Sequence, residues 1–354
     1  MSITTADLRI TDSRPLITPA ILAEELPLSV QGAGLIRKAR ATIENILAGA
    51  DPRMLVIVGP CSIHDIDAAL EYAEKFRDGL KPLSGALFPV MRVYFEKPRT
   101  VVGWKGLIND PDLDGSFHIN RGLRLARRLL LDITALELPV ASEFLDTTFG
   151  QYYAELVSFG AIGARTVESQ VHRELASGLS MPVGIKNRTD GNIDVAIDAL
   201  RAIREPHWFP SLTREGTPAV FQSSGNDQTC LILRGGRATG PNYSATAIRG
   251  ICDSMTAAGL AQTLVIDCSH GNSGGDPERQ IDVMQSVLEQ IEAGNRSIRG
   301  IMLESHLVGG RQQAEQGKAL VYGQSITDAC LALDRTLPLL EQLAEVVRDA
   351  RMPE

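Results

Sequence analysis

The stretch "MLVIVGPCSIHDIDAALEYAEKFRDGL", residues 54–80, holds both halves of one structural unit. Its opening residues are apolar and rich in Val and Ile, the composition of a strand covered on both faces. Gly59-Pro60 stops the run, because proline has no N–H to give to a sheet ladder. From Asp65 the period changes. Ile66, Ala69, Leu70, Ala73 and Phe76 fall on one face of a helix, and the acidic residues at its start suit an N-cap. A doubly buried strand followed by an amphipathic helix is the repeating unit of a parallel sheet. Between the two halves stand Cys61 and His64, so the connecting turn carries groups able to do chemistry.

The unit recurs. Short apolar runs at 89–97, 139–146, 161–169, 181–187, 229–236, 263–271 and 300–306 make eight with the first. Helical patterns fill the gaps, among them "SQVHRELASGLS", "NIDVAIDALRAI", "SATAIRGICDSMTAAG" and "DPERQIDVMQSVLEQIEAG", the last opening at Asp276-Pro277 and closing at Gly294. Eight such units with right-handed crossovers are expected to close into an α/β fold, a (β/α)₈ TIM barrel. An open doubly wound sheet ranks lower, because no GxGxxG opens a helix after a strand. Two segments lie outside the repeat. Residues 1–50 form an N-terminal extension with a helix in "SVQGAGLIRKARATIENILAG", expected to serve oligomer or regulatory contacts. Residues 51–354 form the catalytic barrel, with a β-hairpin inserted before strand 6 at about 207–224 around Arg214-Glu215-Gly216.

Composition narrows the function. The net charge of −8 argues against a nucleic-acid partner. No run approaches the roughly eighteen apolar residues of a membrane span, and "MSITTADLRITDSRP" lacks the basic and apolar regions of a signal peptide. Five cysteines without a CxxC pair point to a reducing compartment, so a cytoplasmic location is expected.

In a barrel of this kind chemistry sits at the carboxyl ends of the strands. Those ends carry, in order, Cys61, Arg92 and Lys97, Glu143, Arg165, Lys186, Arg234, His270 and Glu304, with Asp328 expected to begin the helix after the last strand's loop. Arg92, Lys97, Arg99, Arg165, Lys186 and Arg234 are a cationic set inside an acidic chain. Burying such a set calls for a strongly anionic small ligand. Cys61, His270, Glu304 and Asp328 offer sulfur, nitrogen and oxygen donors suited to one divalent ion of the Mn²⁺, Fe²⁺, Co²⁺ or Zn²⁺ type. A cysteine nucleophile with His270 as base, or a Schiff base on Lys186 or Lys97, leaves the other groups unexplained. His64, at the start of a helix, is read as orienting the loop.

The motifs "GPCSIHD", "RVYFEKPRTVVGWKGLINDP", "GAIGARTVESQVHRELASGLSMPVG", "LILRGG", "DCSHGNS", "ESH" and "YGQSITDACL" resemble the microbial feedback-regulated class of 3-deoxy-D-arabino-heptulosonate 7-phosphate (DAHP) synthases. The resemblance runs from about residue 15 to the end. It implies a metal-dependent condensation of phosphoenolpyruvate with erythrose 4-phosphate, the first step of the shikimate pathway, by a homodimer or homotetramer. Carried onto matching positions, it implies Cys61, His270, Glu304 and Asp328 as metal ligands. Arg92, Lys97, Arg165, Lys186 and Arg234 would bind phosphoenolpyruvate, and Arg99 with Thr100 the aldose phosphate. Lys97 would donate a proton, with His270 or Glu143 activating water. An aromatic amino acid effector would sit at Phe144, Asp146, Gly150, Gln151, Leu175, Leu179, Ser180 and Phe209. Ser180 resembles phenylalanine-sensitive members and Gly150 those responding to tyrosine or tryptophan.

Two positions depart from the pattern. Arg188 replaces a usual Gly, which would strain the backbone if φ there is positive and would add a cation near Lys186. Val167 replaces a Thr beside Arg165. A phosphometabolite sensor and the related eight-carbon sugar-acid synthase are the other readings. The complete ligand and cation sets count against the first, and the N-terminal extension, the hairpin and "KPRT" against the second.

Overall fold

The computed structural model describes residues 5–99, 103–314 and 318–351. Eight parallel strands form the centre: β1 Met54–Gly59, β2 Leu87–Arg92, β3 Val140–Glu143, β4 Phe159–Ile162, β5 Val183–Lys186, β6 Thr229–Leu233, β7 Leu264–Asp267 and β8 Ile298–His306. Each pairs with its neighbour in sequence, and β1 pairs in turn with β8, Leu55 opposite Gly300 and Gly59 opposite Glu304. The sheet is therefore closed, and the expected TIM barrel is the observed fold.

Side-chain alternation explains why the closed form is stable. Leu55 and Ile57 point inward to a buried cluster with Val90, Ala141, Phe159, Cys230, Val265 and Met302. Val56 and Val58 point outward to the helix-facing core. Helix α1 (Pro19–Glu25) starts at the Thr18 cap, and α2 (Val30–Ala48) at the Ser29 cap. Ile43, Ile46 and Leu47 of α2 join the inner cluster beside Leu55 and Phe88 near the strand beginnings, and Thr263 donates its hydroxyl to the Leu47 carbonyl. The amino-end mouth is thus plugged, which leaves the carboxyl-end mouth for the site. Helix α3 (Ile66–Leu80) is capped by the Asp65 carboxylate, which accepts the Ala68 N–H at 3.0 Å.

The hairpin pairs Trp208–Leu212 with Pro218–Gln222, Phe209 opposite Phe221, and turns at Gly216 with φ +78°. Three expectations are corrected. The runs 89–97 and 161–169 leave the sheet at Arg92 and Ile162. Past Arg92 the Val93 N–H still reaches Ala141 O, after which Lys97 N–H bonds to Lys105 O within its own loop; past Ile162 the Thr166 N–H bonds to Gly163 O. The helix expected from Asp276-Pro277 begins at Gln280, because tight turns from Pro277 to Gln280 and Glu278 to Ile281 precede it. Asp328 does not start a helix. It lies in the loop before the short strand Leu331–Ala332, and the last helix begins at Leu333.

Candidate active site

Cys61 is the first residue past Pro60 and is fully buried at the carboxyl-end rim. Its sulfur lies 3.6 Å from Asp328 Oδ2, and one donor atom each from Cys61, Glu304 and Asp328 fall within 4.8 Å of one another. His270 joins through Glu304, with Nε2 3.6 Å from Oε1. His270 adopts φ +57°, an uncommon backbone for a side-chain-bearing residue, just where its ring turns toward that carboxylate. Burial pushes the Cys61 thiol up to about 12, and the Glu304 carboxylate adds to this while Lys97 opposes it. A thiol so placed beside two carboxylates fits a cation between them, whose binding would favour the thiolate. Burial pulls Asp328 upward, but Lys97 and His270 outweigh it and hold the carboxylate below its ordinary value.

The cations divide by partner. Lys97 Nζ donates to the Cys61 carbonyl at 3.0 Å and lies 3.1 Å from its sulfur. Arg92 is buried, with Nη2 3.0 Å from Glu304 Oε1 and its guanidinium 4.1 Å above the Tyr94 ring. Its Nε is buried without a hydrogen-bond partner. Gly59 makes this possible, since a Cβ there would come within 2.8 Å of the Arg92 carbonyl. Lys186 Nζ pairs with Asp267 Oδ2 at 2.9 Å. Arg165 and Arg234 reach an open cavity of about 670 Å³ that also exposes His270, Glu304 and Asp328. Glu143 ends β3 with its carboxylate against the Gly163 backbone, where a Cβ would collide with Oε1.

Some expected residues are placed elsewhere. Arg99 does not line the cavity; its Nε donates to the Trp104 carbonyl at 2.7 Å. Thr100 lies outside the described residues. Arg188 is not among the described residues with positive φ, so the expected strain is absent. Its guanidinium pairs with Glu168 at 2.6 Å and Asp190 at 3.0 Å and adds no free cation beside Lys186. Val167 is buried packing. His64 is held near His306, ring centroids 6.4 Å apart, and its Nδ1 is buried without a partner.

Asp267 was not expected. It is fully buried, holds His270 Nδ1 at 3.0 Å and Lys186 at 2.9 Å, and accepts the Ser269 hydroxyl at 2.6 Å. Burial would raise its pKa, but His270 and Lys186 keep it ionised, well below its ordinary value. The signal was present: a lone carboxylate ending the apolar run "TLVID" must find cations. Arg237, Arg279 and Arg311 also line the cavity.

A second cavity of about 350 Å³ lies outside the barrel beneath the hairpin. Gly150, Gln151, Leu175, Leu179, Ser180 and Phe209 line it, while Phe144 and Asp146 do not. Phe144 is buried behind it, stacked on Tyr153 at 5.7 Å, and Asp146 caps the turn at Thr148 through a 2.7 Å bond. Glu96, one residue before Lys97, is buried. Its carboxylate accepts the Asp146 N–H and the Tyr153 hydroxyl, both at 3.1 Å, and burial, reinforced by Asp146, pushes its pKa up to about 8.

Fold and rim together define a barrel enzyme with a candidate metal centre and an anion-binding cavity. The chain belongs to the DAHP synthetase I family, whose pattern matches residues 27–341. It is 53% identical over 345 residues to the "Phospho-2-dehydro-3-deoxyheptonate aldolase, Phe-sensitive" of Escherichia coli K12, covering 98% of each chain. It is 52% identical to the Trp-sensitive enzyme of that name from Enterobacter agglomerans, covering 97% of this chain and 98% of the relative. The solved phospho-2-dehydro-3-deoxyheptonate aldolase of Francisella tularensis superposes with a TM-score of 0.94 at 49% identity, covering 97% of this chain and all of that one.

Proposed function

We propose that this chain condenses phosphoenolpyruvate with D-erythrose 4-phosphate and water, giving DAHP and phosphate, as the first step of the shikimate pathway under feedback control. The observation that carries the reading is the meeting of Cys61, Glu304 and Asp328 within 4.8 Å, the two carboxylates lining a cavity that Arg165 and Arg234 also line. A substrate with both phosphate and carboxylate suits that wall. Arg165 and Arg234 hold the phosphate, bidentate guanidinium geometry fixing its oxygens. The unpartnered Nε of Arg92 supports a carboxylate contact there, and Lys186, oriented by Asp267, completes the clamp.

Cys61, His270, Glu304 and Asp328 would hold one divalent ion of the Mn²⁺, Fe²⁺, Co²⁺ or Zn²⁺ type, which when bound supplies Lewis acidity toward the aldehyde. The enol carbon attacks the aldehyde carbon, and Lys97 delivers a proton to the forming alkoxide. Water adds to the enol-derived carbon, and phosphate leaves by C–O cleavage. His270 directs Nδ1 to Asp267 and Nε2 to Glu304, so Glu143, which makes no side-chain hydrogen bond among the described residues, is the better base for that water. Arg99 and Thr100 are assigned the aldose phosphate by family pattern.

The outer cavity is proposed to take an aromatic amino acid, with Phe144 and Asp146 as its supports. Residues 1–50 are proposed to make oligomer contacts in a homodimer or homotetramer; Leu8 and Ile10 are 72% and 64% exposed on that arm. A cytoplasmic location fits, and no described helix is long and apolar enough to cross a membrane. The test is aldose choice. Supplying erythrose 4-phosphate or arabinose 5-phosphate with phosphoenolpyruvate and identifying the product by mass should give the seven-carbon acid only; an eight-carbon product would favour the related synthase.

A further inference from the structure

Glu304 is held at both ends. Its carboxylate takes Arg92 Nη2 at 3.0 Å and faces His270 Nε2 at 3.6 Å. Its backbone is held by a single side chain. Gln280 Nε2 donates to the Glu304 carbonyl at 3.0 Å, and the Glu304 N–H donates to Gln280 Oε1 at 2.9 Å. Gln280 is fully buried and opens the helix Gln280–Glu292.

The strand ladder explains the need for this clamp. Cys268 N–H donates to Met302 O at 2.9 Å, so the backbone groups of Met302 face β7. Two residues on along a strand, the backbone groups point the same way again. Those of Glu304 therefore reach past the end of β7 at Asp267, where the chain has turned into the short helix His270–Ser273. Buried backbone groups left without partners are costly. The Gln280 amide, a donor and an acceptor side by side, copies the missing peptide.

The segment that supplies the clamp also supplies His270. Gly275 N–H returns to His270 O at 2.9 Å, and Asn272 Nδ2 ties the turn to Leu233 O at 3.0 Å and Asp267 O at 2.9 Å. One loop thus places a proposed nitrogen ligand beside the Glu304 carboxylate and fixes the Glu304 backbone. We infer that Gln280 is a positioning residue for the metal centre, its amide setting where the Glu304 carboxylate stands relative to Cys61 and Asp328. This rests on the proposed metal reading of Cys61, His270, Glu304 and Asp328. With the backbone fixed and Arg92 on Oε1, the Glu304 donor atom already meets those of Cys61 and Asp328 within 4.8 Å. A ligand set held in place gives up less freedom when an ion binds.

The test is Co²⁺ binding to reduced protein, read by the thiolate-to-cobalt absorption that Cys61 would supply and by competition with a chelator. Gln280→Met keeps the length of the side chain and removes the amide. Co²⁺ affinity should fall about 10- to 100-fold, and the visible cobalt bands should shift. Gln290 provides the control, a buried amide near the far end of the same helix, with Nε2 2.8 Å from Tyr243 O and 3.1 Å from Ser286 O. Gln290→Met should lower the urea midpoint of the chelated protein, as Gln280→Met does, yet leave Co²⁺ affinity within about twofold of wild type. Gln280→Glu keeps the oxygen that faces the N–H and loses the donor; it should weaken Co²⁺ in the same direction and serves if Gln280→Met unfolds. Wild-type affinity and unshifted bands in the folded variant overturn the inference and leave Gln280 as a helix anchor only. Wild-type protein that binds no Co²⁺ strikes the proposed metal centre itself, and the inference with it.

Discussion

Lys97 Nζ stands 3.1 Å from Cys61 Sγ and 3.0 Å from the Cys61 carbonyl, so the proposed proton donor and a proposed metal ligand share one hydrogen-bonded unit. The unit exists because β2 ends at Arg92 and the following loop folds back through the Lys97-to-Lys105 backbone bond. Lys97→Met removes the ammonium, which lies 5.9 Å from the Tyr94 ring centroid, and keeps most of the aliphatic length of the side chain. Its kcat should fall about 10²- to 10⁴-fold, the usual worth of a positioned proton donor. Phosphoenolpyruvate binding by calorimetry should persist. A full rate would remove Lys97 from that role.

Asp267→Asn leaves the shape of the site and takes away the charge that orients His270 and neutralises Lys186. Metal affinity, followed by competition with a chelator, should drop about 10- to 100-fold. Unfolding in urea, run with chelator present, should show a loss of about 3–5 kcal/mol, because Lys186 is left buried without its partner. Unchanged metal affinity would make Asp267 purely structural.

Glu96 gives a pH signature. Its folded-state pKa is raised to about 8 from the ordinary 4.5, so between those values the unfolded chain gives up a proton that the folded chain keeps. Its contribution is therefore greatest at low pH and is lost as pH rises toward 8, on the order of a few kcal/mol in all. Glu96→Gln carries no such term. The variant should match wild type near pH 5 and melt higher near pH 8.5; parallel pH profiles would contradict the assignment.

Ser180→Trp fills part of the outer cavity, some distance from the rim. Inhibition by an aromatic amino acid should weaken about tenfold or more while uninhibited kcat stays within about twofold, since each lost ligand contact is worth roughly 1 kcal/mol or more. Steady-state assays with phenylalanine, tyrosine and tryptophan read this out. Unaltered inhibition in the variant would move the effector elsewhere.

The barrel was legible because its signal is periodic: Leu55 and Ile57 against Val56 and Val58, then the shift to helical spacing from Ile66. The rim residues were legible because each stands at a strand end. Asp267 was hidden inside an apolar strand, where one carboxylate reads as noise until its partners His270 and Lys186 are brought to it. Arg188 misled for the opposite reason. The turn it occupies takes its positive φ at Gly191, φ +107°, which position alone does not reveal. Arg237 and Arg279 belong to loops, and only the closed barrel brings the two loops to face one cavity.

A metal-dependent condensation at the Cys61–Glu304–Asp328 rim needs the metal and both substrates together. Phosphate release from phosphoenolpyruvate, measured with and without erythrose 4-phosphate, before and after EDTA and after Mn²⁺ is returned, tests it most directly. Release that needs the aldose, stops with chelator and resumes with metal is the predicted result. No aldose-dependent release from reduced, metal-replete protein would contradict it.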